Sequence, residues 1–387
     1  MTPPLILYLS TGMFYKGGIA RYSRYQVEAL RRIVGKDNVR VLSLMGRAPD
    51  DFEEAFDVDW SGSPRLSMID RIAFSAVAFR TLLADLVERR ALVWVNHVNL
   101  GPLAWALCRA GGAAYVVNTY GLELWSGLRA HRRSTLARAD HVVVDCHFSR
   151  DYIISQRMAC ADRTTVVWDP VDIDRFSPGA PVPDALIRNG VPWRPERIRI
   201  VTVGRLNAGS RHKGVERNLR MLAGLDSTLP VDLVLVGDGD DRARLEALAG
   251  ELGIDDRVFF AGSVCEDDLP LVYRSCDLSV LISDRGIGRG EGIPLTPLEA
   301  AACGLPILVG NQDGSQEAVE DGVNGWMMDP FNLASQRVAI EQLVRDRELR
   351  ERMGRAARDR IVREHSFDVF VERTREVLGR LEAMIGS

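Results

Sequence analysis

Short apolar runs alternate with amphipathic segments along almost the whole of the 387-residue chain. The apolar runs are rich in Val, Ile and Leu, and most neighbouring pairs leave room for a helix between them. This alternation predicts parallel sheets covered by helices, the α/β class. The candidate strands of the first half are 5–10, 39–44, 92–97, 114–119, 141–146 and 164–169. Those of the second half are 198–204, 232–239, 257–262, 277–283 and 305–310.

The proline-rich stretch 170–195 separates the two series of strands and is typical of a linker. We therefore predict two domains, 1–180 and 181–365, in line with a prior of about 150 residues per domain. An amphipathic segment follows at 366–387, and we expect it to form a helix that packs back on the first domain.

The composition is that of a globular protein, with 46% hydrophobic and 26% charged residues. No run of about 18 apolar residues is present. The N-terminus, MTPPLILYLS, lacks the basic start of a signal peptide. The six cysteines are scattered and form no C-x-x-C pair. These features predict a cytoplasmic protein without a membrane-spanning helix.

Charge is divided unevenly along the chain. Residues 1–170 carry 21 Lys and Arg against 17 Asp and Glu, whereas the remainder carries 28 against 36. A positive first half suggests an anionic partner, such as phospholipid or a phosphate-bearing molecule. An ordinary solvated surface is the alternative. The chain has only three lysines, Lys16, Lys36 and Lys213, so each is a candidate for a specific contact.

Two glutamates eight positions apart, Glu291 and Glu299, lie in the segment EGIPLTPLEAAACGLPI. Glycines flank the first glutamate and let a ligand approach the backbone closely. A helix is predicted to begin at Thr296-Pro297 with Glu299 in its first turn, and helix starts of this kind bind phosphate. A diphosphate-linked sugar would suit such a site. Alternatively, Thr296 and Glu299 form a capping box and Glu291 is a solvated loop acid.

Further candidate residues follow two other strands. Arg205 and Lys213 lie on the loop after 198–204, where two cations at the carboxyl end of a strand can neutralise a diphosphate. Gly17 and Gly18 open a helix after the first strand, in a turn that either faces phosphate or is simply tight. Ligand sites of open α/β sheets lie at these carboxyl ends.

Two other patterns are weak. The segment GDGDDR (237–242) follows a strand, but arginine stands where a dinucleotide fingerprint requires its third glycine. His141 and His147 lie six positions apart without an acidic third ligand, so we expect structural roles for them and no metal site.

Together these segments resemble the retaining glycosyltransferases of family 4, which have the GT-B fold: two Rossmann-like, doubly wound parallel-sheet domains facing a central cleft. The resemblance covers nearly the whole chain and is strongest in the second half. It rests on GGIARY (17–22), VNTYGLELW (117–125), ADHVVVDCHFSRD (139–151), DPVDIDRFSP (169–178), VGRLNAGSRHKG (203–214), LVGDGDD (235–241), VFFAGSV (258–264), EGIPLTPLEAAACGLPI (291–307) and GNQDGSQEAVEDGVNGW (310–326).

The resemblance implies a donor site in the second domain. Glu291 would contact the transferred sugar, and Glu299 would hold the ribose hydroxyls. Arg205 and Lys213 would bind the diphosphate and stabilise its departure. The remaining donor contacts would come from Gly292, Ile293, Pro294, Leu295, Thr296, Gly262, Ser263 and Val264, with Gly17 and Gly18 opposite the diphosphate. No cofactor and no divalent metal ion are implied, because the cations neutralise the leaving group.

One position departs from the family pattern. Many relatives have a histidine near the donor sugar where this chain has Tyr120, whose ordinary pKa near 10 excludes it as a base at neutral pH. His97, at the end of the strand 92–97, is a candidate catalytic substitute; a core histidine bound by the backbone is the alternative. Retaining transfer in the family is described as front-face displacement, in which the leaving phosphate takes the acceptor proton, so no strong base is required.

The first domain is expected to bind the acceptor. Trp125 would lie flat against a sugar ring or lipid headgroup, and Glu123 would orient a hydroxyl. Tyr120, Arg132 and Arg133 complete the candidate acceptor site. We further expect peripheral contact with an anionic membrane, at the inner face of the plasma membrane, and no contact with nucleic acid.

The sequence thus predicts a retaining, metal-independent hexosyltransferase of bacterial polysaccharide biosynthesis. It would transfer a sugar from a nucleotide-sugar donor, GDP-mannose or a UDP-hexose, to a cell-surface glycan or lipid-linked acceptor. The alternative is a catalytically silent GT-B subunit that binds nucleotide sugar and regulates a partner. A third possibility, a GT-B epimerase acting on a UDP-sugar, has no support from the two glutamates and the Lys-Gly pair.

Overall fold

The computed structural model describes residues 4–15, 17–47, 56–86, 91–286 and 288–386. The chain divides into two units, of which unit 1 consists of Met1–Pro170 and Phe367–Ser387 and unit 2 of Val171–Ser366. Each unit has its own parallel sheet and its own hydrophobic core.

Strands and helices alternate through the described part of unit 1. The strands are β1 (Leu5–Gly12), β2 (Val39–Met45), β3 (Trp60–Ser61), β4 (Ala91–Val95), β5 (Ala114–Thr119), β6 (His141–Val144) and β7 (Thr164–Val166). The helices are α1 (Gly18–Val34), α2 (Met68–Leu86), α3 (Gly101–Gly111), α4 (Leu122–Trp125), α5 (Ala130–Ala137) and α6 (His147–Ser155). The seven described strands form one parallel sheet in the order β3-β2-β1-β4-β5-β6-β7.

The sheet of unit 1 is covered on both faces, because successive residues of a strand point to opposite sides. From β1, Leu7 and Leu9 enter a core that includes Phe74 of α2. Ile6 and Tyr8 enter the other core, which includes residues of α1. A strand buried on both faces has a continuous apolar sequence, as the run LILYL shows.

Unit 2 repeats this organisation with a smaller sheet. Its strands are β8 (Ile198–Val203), β9 (Val231–Val236), β10 (Val258–Gly262), β11 (Leu278–Leu281), β12 (Ile307–Gly310) and β13 (Gly325–Met328). Its helices are α7 (Pro183–Ile187), α8 (Val215–Ala223), α9 (Arg242–Glu251), α10 (Leu269–Arg274), α11 (Leu295–Ala302), α12 (Leu333–Arg345) and α13 (Arg347–Glu364). The six described strands are parallel, in the order β10-β9-β8-β11-β12-β13.

The last helix, α14 (Phe367–Gly386), belongs to unit 1. It packs along α1, where the ring of Phe370 meets the ring of Tyr22 edge-on with 5.3 Å between the centroids. Phe370 is buried, as are Val377 and Leu381 on the same helix face.

Unit 2 begins ten residues earlier in the sequence than the predicted boundary at 180/181. Val171 N donates a hydrogen bond to His365 O at 2.8 Å. Arg274 Nε donates to Ser177 O at 2.7 Å. These bonds attach the stretch 171–178 to unit 2, although its prolines are typical of a linker.

The two helix-covered parallel sheets confirm the predicted α/β class with two Rossmann-like domains. The sequence did not predict β3 and β13, both of which are short and lie at a sheet edge. Among the helices that the structure describes, none offers an apolar stretch long enough to cross a lipid bilayer.

Candidate active site

The candidate site of unit 2 lies where the loops after β8, β11 and β12 meet. These three strands are neighbours in the sheet, and parallel strands bring their carboxyl ends to one edge. The loop after β8 contains a 3₁₀ turn, Ala208–Lys213. The loop after β11 carries Glu291, and the loop after β12 carries Asp313. Segments that are far apart in the sequence therefore form one cluster.

Glu291 lies at the centre of this cluster. Its Oε1 atom is 2.7 Å from His212 Nε2 and 2.8 Å from Lys213 Nζ. Burial alone would raise the pKa of the Glu291 carboxyl, but the charge of Lys213 and the hydrogen bonds from His212 and Lys213 outweigh it and lower the pKa to about 2. The carboxylate is therefore ionised at neutral pH and can only accept hydrogen bonds.

Asp313 and the residue after it bind the backbone of Glu291 at its N–H and at its carbonyl. Asp313 Oδ2 accepts a hydrogen bond from Glu291 N at 2.9 Å, while the following residue donates from Gly314 N to Glu291 O at 3.0 Å. Its Oδ1 accepts from the hydroxyl of Ser283 and from Ser315 N, each at 3.1 Å. Burial raises the pKa of Asp313. This network fixes the point from which Glu291 projects.

Two glycines make room for the Lys213 side chain, which extends from the 3₁₀ turn to Glu291. Gly214 ends the 3₁₀ turn with φ +82°, and a Cβ there would lie 2.5 Å from Ile282 O. At Gly204 a Cβ would lie 3.2 Å from Lys213 Cδ, so the lysine side chain passes directly over the end of β8. A larger residue at either position would displace the lysine or the turn that carries it.

The helix that follows Glu291 does not begin where the sequence predicted. α11 begins at Leu295, with Pro294 as its N-cap residue and without a side-chain hydrogen bond at the cap. The capping box between Thr296 and Glu299 therefore does not form, and that interpretation is wrong, as is the placement of Glu299 in the first helical turn. Glu299 is instead a buried carboxylate, 2% exposed, with Tyr273 Oη 3.4 Å from its Oε2.

Arg205 is not part of the cluster around Glu291. Its side chain is exposed at the end of β8, and within the described residues no hydrogen bond or ion pair joins it to Glu291 or Lys213. The structure thus separates the two predicted diphosphate ligands into one bound lysine and one solvent-facing arginine.

The other predicted donor-site residues occupy two loops. Gly262 ends β10 with φ +66°, and its carbonyl accepts a hydrogen bond from Gly237 N at 2.8 Å. Ser263 is exposed and Val264 half-buried. Before and within α11, Gly292, Leu295 and Thr296 are half-buried, whereas Ile293 and Pro294 are buried.

In unit 1, His97 follows β4 and is half-buried. Its Nδ1 accepts a hydrogen bond from Asn99 N at 3.1 Å. Burial, followed by the charge of Arg132, lowers the pKa of the imidazole to about 4. The ring is neutral at pH 7, and the acceptor role of Nδ1 assigns its proton to Nε2. His97 is thus suited to donate one hydrogen bond and is a poor base.

Two aromatic residues predicted to bind the acceptor lie in the core of unit 1 instead. Trp125 is 7% exposed, and its ring meets Phe148 edge-on with centroids 5.8 Å apart. Tyr120 is equally buried and meets Tyr22 edge-on at 5.5 Å. Packing covers both rings in unit 1, and contact of Trp125 or Tyr120 with an acceptor stays a prediction.

The polar residues of the same region are partly engaged. Glu123 Oε1 accepts a hydrogen bond from Tyr120 N, and burial raises the pKa of Glu123 to about 7. Arg133 donates to the carbonyl of Gln156, and Arg132 is half-buried. Gly17 precedes α1 with φ +152°, and Gly18 is the first helical residue.

Two members of the cluster, His212 and Asp313, were not singled out from the sequence. His212 directly precedes Lys213, and Asp313 lies in the segment GNQDGSQ after a candidate strand. Their positions at strand ends were a usable signal, but nothing local distinguishes them from the other polar residues of those loops.

The described residues hold no group of three His, Cys, Asp or Glu side chains placed to bind a metal ion. A cavity of about 620 Å³ is found elsewhere in unit 2, at the amino ends of β8, β11 and β12, where Arg274, Arg350 and Arg358 line it. Arg358 Nη1 donates to Phe176 O at 2.8 Å. This cavity lies at the opposite edge of the sheet from Glu291.

Solved structures with this architecture are glycosyltransferases of the GT-B class. Alr3699/HepE of Anabaena, in complex with UDP, superposes with a TM-score of 0.78 at 20% identity and covers 97% of this chain and 99% of that chain. Sucrose-phosphate synthase of Thermosynechococcus elongatus gives 0.76 at 21% identity, over 98% and 100%. These similarities confirm the predicted fold.

Sequence relatives identify the family. Residues 184–360 match the family described as "Glycosyl transferases group 1", and residues 16–175 match "Glycosyltransferase Family 4". The D-inositol 3-phosphate glycosyltransferase of Salinispora arenicola is 32% identical over 338 residues, 81% of this chain and 74% of that protein. The GDP-mannose-dependent alpha-(1-6)-phosphatidylinositol monomannoside mannosyltransferase of Mycolicibacterium smegmatis is 31% identical over 272 residues, 67% of each chain. The chain belongs to glycosyltransferase family 4, as its motifs predicted.

Proposed function

We propose that this chain is a retaining glycosyltransferase that transfers a sugar from a nucleoside-diphosphate donor bound to unit 2. The observation that carries the proposal is the Glu291 carboxylate, whose Oε1 is bound by both His212 and Lys213 at the carboxyl ends of three parallel strands. Within the part of the chain that the structure describes, both contacts of the carboxylate go to Oε1, which leaves Oε2 to accept a hydrogen bond from a sugar hydroxyl.

The low pKa of Glu291 defines what this group does in the reaction. A base efficient at neutral pH has a pKa near 7, whereas that of Glu291 is lowered to about 2. Glu291 therefore orients the sugar and stabilises positive charge at its anomeric carbon, and it does not take up the acceptor proton. The leaving phosphate takes that proton in the front-face mechanism we propose.

Lys213 and Arg205 are the proposed partners of the diphosphate. A lysine ammonium is a point charge on a flexible side chain, so Lys213 can turn from Glu291 to a phosphate oxygen of the donor. Arg205, exposed at the end of the same strand, supplies a second cation without first breaking an ion pair. With two cations at the leaving group, we propose that transfer proceeds without a divalent metal ion and without a cofactor.

We propose GDP-mannose or a UDP-hexose as the donor and a lipid-linked or phosphate-bearing acceptor. The relative from Mycolicibacterium smegmatis is named as GDP-mannose-dependent and acts on a phosphatidylinositol monomannoside. The relative from Salinispora arenicola is named for D-inositol 3-phosphate. Both named acceptors contain an inositol and a phosphate, which fits an arginine-rich unit 1.

Acceptor binding is proposed for unit 1, together with peripheral contact with an anionic membrane. Arg132 of α5 is close enough to His97, which follows β4, for its charge to lower the pKa of the imidazole. On α2, the apolar side chains of Met68, Ile69 and Ile72 are 71%, 78% and 64% exposed. An exposed apolar helix face of this kind suits a lipid surface. Residence at the inner face of a plasma membrane and a part in polysaccharide synthesis are the corresponding cellular proposals.

The decisive experiment measures turnover of GDP-mannose and UDP-glucose, first by donor hydrolysis and then by transfer to inositol phosphate and to phosphatidylinositol vesicles. NMR of the product should show the anomeric configuration of the donor. Glu291→Gln should lower turnover at least about a hundredfold. Tight binding of nucleotide sugar without any turnover would favour the silent-subunit alternative, and an inverted product would refute the retaining mechanism.

A further inference from the structure

His212 is bound to Glu291 as closely as Lys213 is, and both contacts go to the same oxygen. The distances from Glu291 Oε1 are 2.7 Å to His212 Nε2 and 2.8 Å to Lys213 Nζ. The His212 side chain is 9% exposed, so this hydrogen bond is shielded from water. A buried hydrogen bond to a charged group is among the stronger ones in proteins.

The backbone of His212 is fixed independently of its ring. Its carbonyl accepts hydrogen bonds from Asp284 N at 2.8 Å and from Arg217 Nη2 at 3.1 Å. Arg217 is in turn paired with Asp284 at 2.6 Å. The imidazole is thus aimed at Glu291 from a rigid base, whereas Lys213 reaches the same oxygen with a long and flexible side chain.

The His212 ring leaves one polar atom unsatisfied. Among the described residues Nδ1 is buried and has no hydrogen-bond partner. A buried polar atom without a partner costs stability, so the ring placement is not the one that stability alone would select. Departures of this kind are expected at functional sites.

We propose that His212 is a positioning residue that holds Oε1 of Glu291 when Lys213 turns toward the donor diphosphate, leaving Oε2 for the transferred sugar. The inference rests on the proposed function, because the diphosphate is what competes for the lysine. With both donors on one oxygen, loss of the lysine contact leaves the carboxylate oriented by His212 alone.

Among the described residues, few titratable or charged groups face Glu291. Lys213 and His212 come from the loop after β8, and Asp313 comes from the loop after β12. Burial, and to a smaller extent the charge of Glu291, raise the pKa of Asp313. Removal of His212 leaves Lys213 as the remaining donor to the Glu291 carboxylate. The pKa of Glu291 should rise in a His212 variant.

The test compares His212→Ala and His212→Gln with His141→Gln. The glutamine amide at 212 can place a donor near the position of Nε2, whereas alanine cannot. His141 is a buried histidine of unit 1, bound to Thr165 Oγ1 at 2.8 Å, and its substitution controls for loss of a buried imidazole hydrogen bond away from the site.

For turnover of GDP-mannose or UDP-glucose, His212→Ala should lower kcat at least about tenfold, as expected for a lost hydrogen bond to a charged group. Its affinity for GDP or UDP should stay close to wild type. The acid limb of its pH–kcat profile, where kcat falls as Glu291 is protonated, should move up by about one pH unit. His212→Gln should recover most of the lost kcat. His141→Gln should change none of these quantities except thermal stability.

Equal kcat and equal acid limbs in wild type and His212→Ala would overturn the inference while leaving the proposed function intact. Absence of turnover in the wild type would refute the proposed function instead. In that case a double-mutant cycle of His212→Ala with Glu291→Gln tests the contact by unfolding at pH 7. Coupling of about tenfold or more in the unfolding equilibrium constant supports it, and additive effects exclude it.

Discussion

Glu291 in unit 2 and Glu123 in unit 1 are both withdrawn from solvent near the end of a parallel strand, yet they ionise in opposite ways. Burial raises the pKa of both carboxyls. Two donors, one of them the cation Lys213, reverse the effect at Glu291 and lower its pKa to about 2. The hydrogen bonds that Glu123 accepts among the described residues come from the backbone, and burial raises its pKa to about 7.

This difference indicates that Glu291 belongs to a site that stabilises charge, whereas Glu123 makes a contact with the backbone. Glu291 stays ionised, and its environment concentrates positive charge where a diphosphate would leave. Glu123 is about half protonated at pH 7, and it accepts a hydrogen bond from Tyr120 N, at the start of the loop that leads into α4. Position at a strand end is therefore a weak indicator of function, and the charge of the surrounding groups is a better one.

The largest expected effect comes from removing the cation at Glu291. Lys213→Ala should lower turnover at least about a hundredfold, because it removes a charge partner of the leaving group. Lys213→Arg should recover little, since the planar guanidinium fork is larger than the ammonium and differs from it in shape. Donor hydrolysis measures both variants, with Lys36→Ala as the matched control at an exposed lysine.

The comparison fails if Lys213→Ala retains near-normal turnover, since Glu291 would then be a structural carboxylate like Glu123. Arg205→Ala tests whether a lost cation lowers turnover when no buried packing is lost with it. It should also lower turnover strongly but leave the melting temperature unchanged, because the arginine is exposed.

A second prediction uses the opposite signs of the two pKa shifts. The folded pKa of Glu123 lies above the unfolded value of about 4.3, so the folded state binds more protons and loses stability as the pH rises from about 4 to 7. The free energy of unfolding of Glu123→Gln should therefore rise by roughly 2 kcal/mol relative to that of the wild type as the pH goes from 5 to 8.

Glu291 should show the reverse dependence. Its folded pKa is lowered, so its stabilising contribution is present above about pH 4.3 and is lost as the pH falls toward 2. The difference in free energy of unfolding between the wild type and Glu291→Gln should shrink as the pH falls over that range. Urea unfolding at a series of pH values measures both variants. If the two show the same dependence of stability on pH, the pKa values of Glu123 and Glu291 are not shifted in opposite directions.

The third prediction concerns Glu299, a buried glutamate of α11. Glu299→Gln should weaken binding of GDP or UDP about tenfold, the value of one hydrogen bond to a charged group. Isothermal titration with the free nucleotide measures this. Since no capping box forms, a variant that lost only about 1 kcal/mol of stability and kept its nucleotide affinity would remove Glu299 from the donor site.

Most of the fold could be predicted from the sequence, because strands buried on both faces have continuous apolar runs such as LILYL. The edge strands β3 and β13 lack that signal. Glu291 and Lys213 were found by motif spacing and by the rarity of lysine. His212 lies 79 positions from its partner Glu291, and Asp313 lies 22 positions from it, so only the folded sheet brings them together.

The acceptor-site predictions for unit 1 had a weaker basis in the sequence. Trp125 and Tyr120 were assigned to the acceptor because they are close in sequence to Gly121 and the arginines of α5. Nearness in sequence does not show which side of a short helix faces the core. Leu124 and Trp125 of α4 both point inward, so the polar residues around them are what remains for the acceptor.

The smallest expected effect tests whether those polar residues meet an anionic acceptor. Arg132→Glu should raise the acceptor KM several-fold, or lower association with vesicles of phosphatidylglycerol and phosphatidylcholine, since each basic group near such a surface adds about 1 kcal/mol. Arg109→Glu, an exposed reversal on α3, is the matched control. Such attraction is screened within about 8 Å at physiological salt, so added salt should narrow the difference between the two variants. Donor hydrolysis should be unchanged in both, because Glu291, Lys213 and Arg205 lie in unit 2. If Arg132→Glu and Arg109→Glu behave alike at every salt concentration, the positive charge of unit 1 is a solvated surface and the acceptor is neutral.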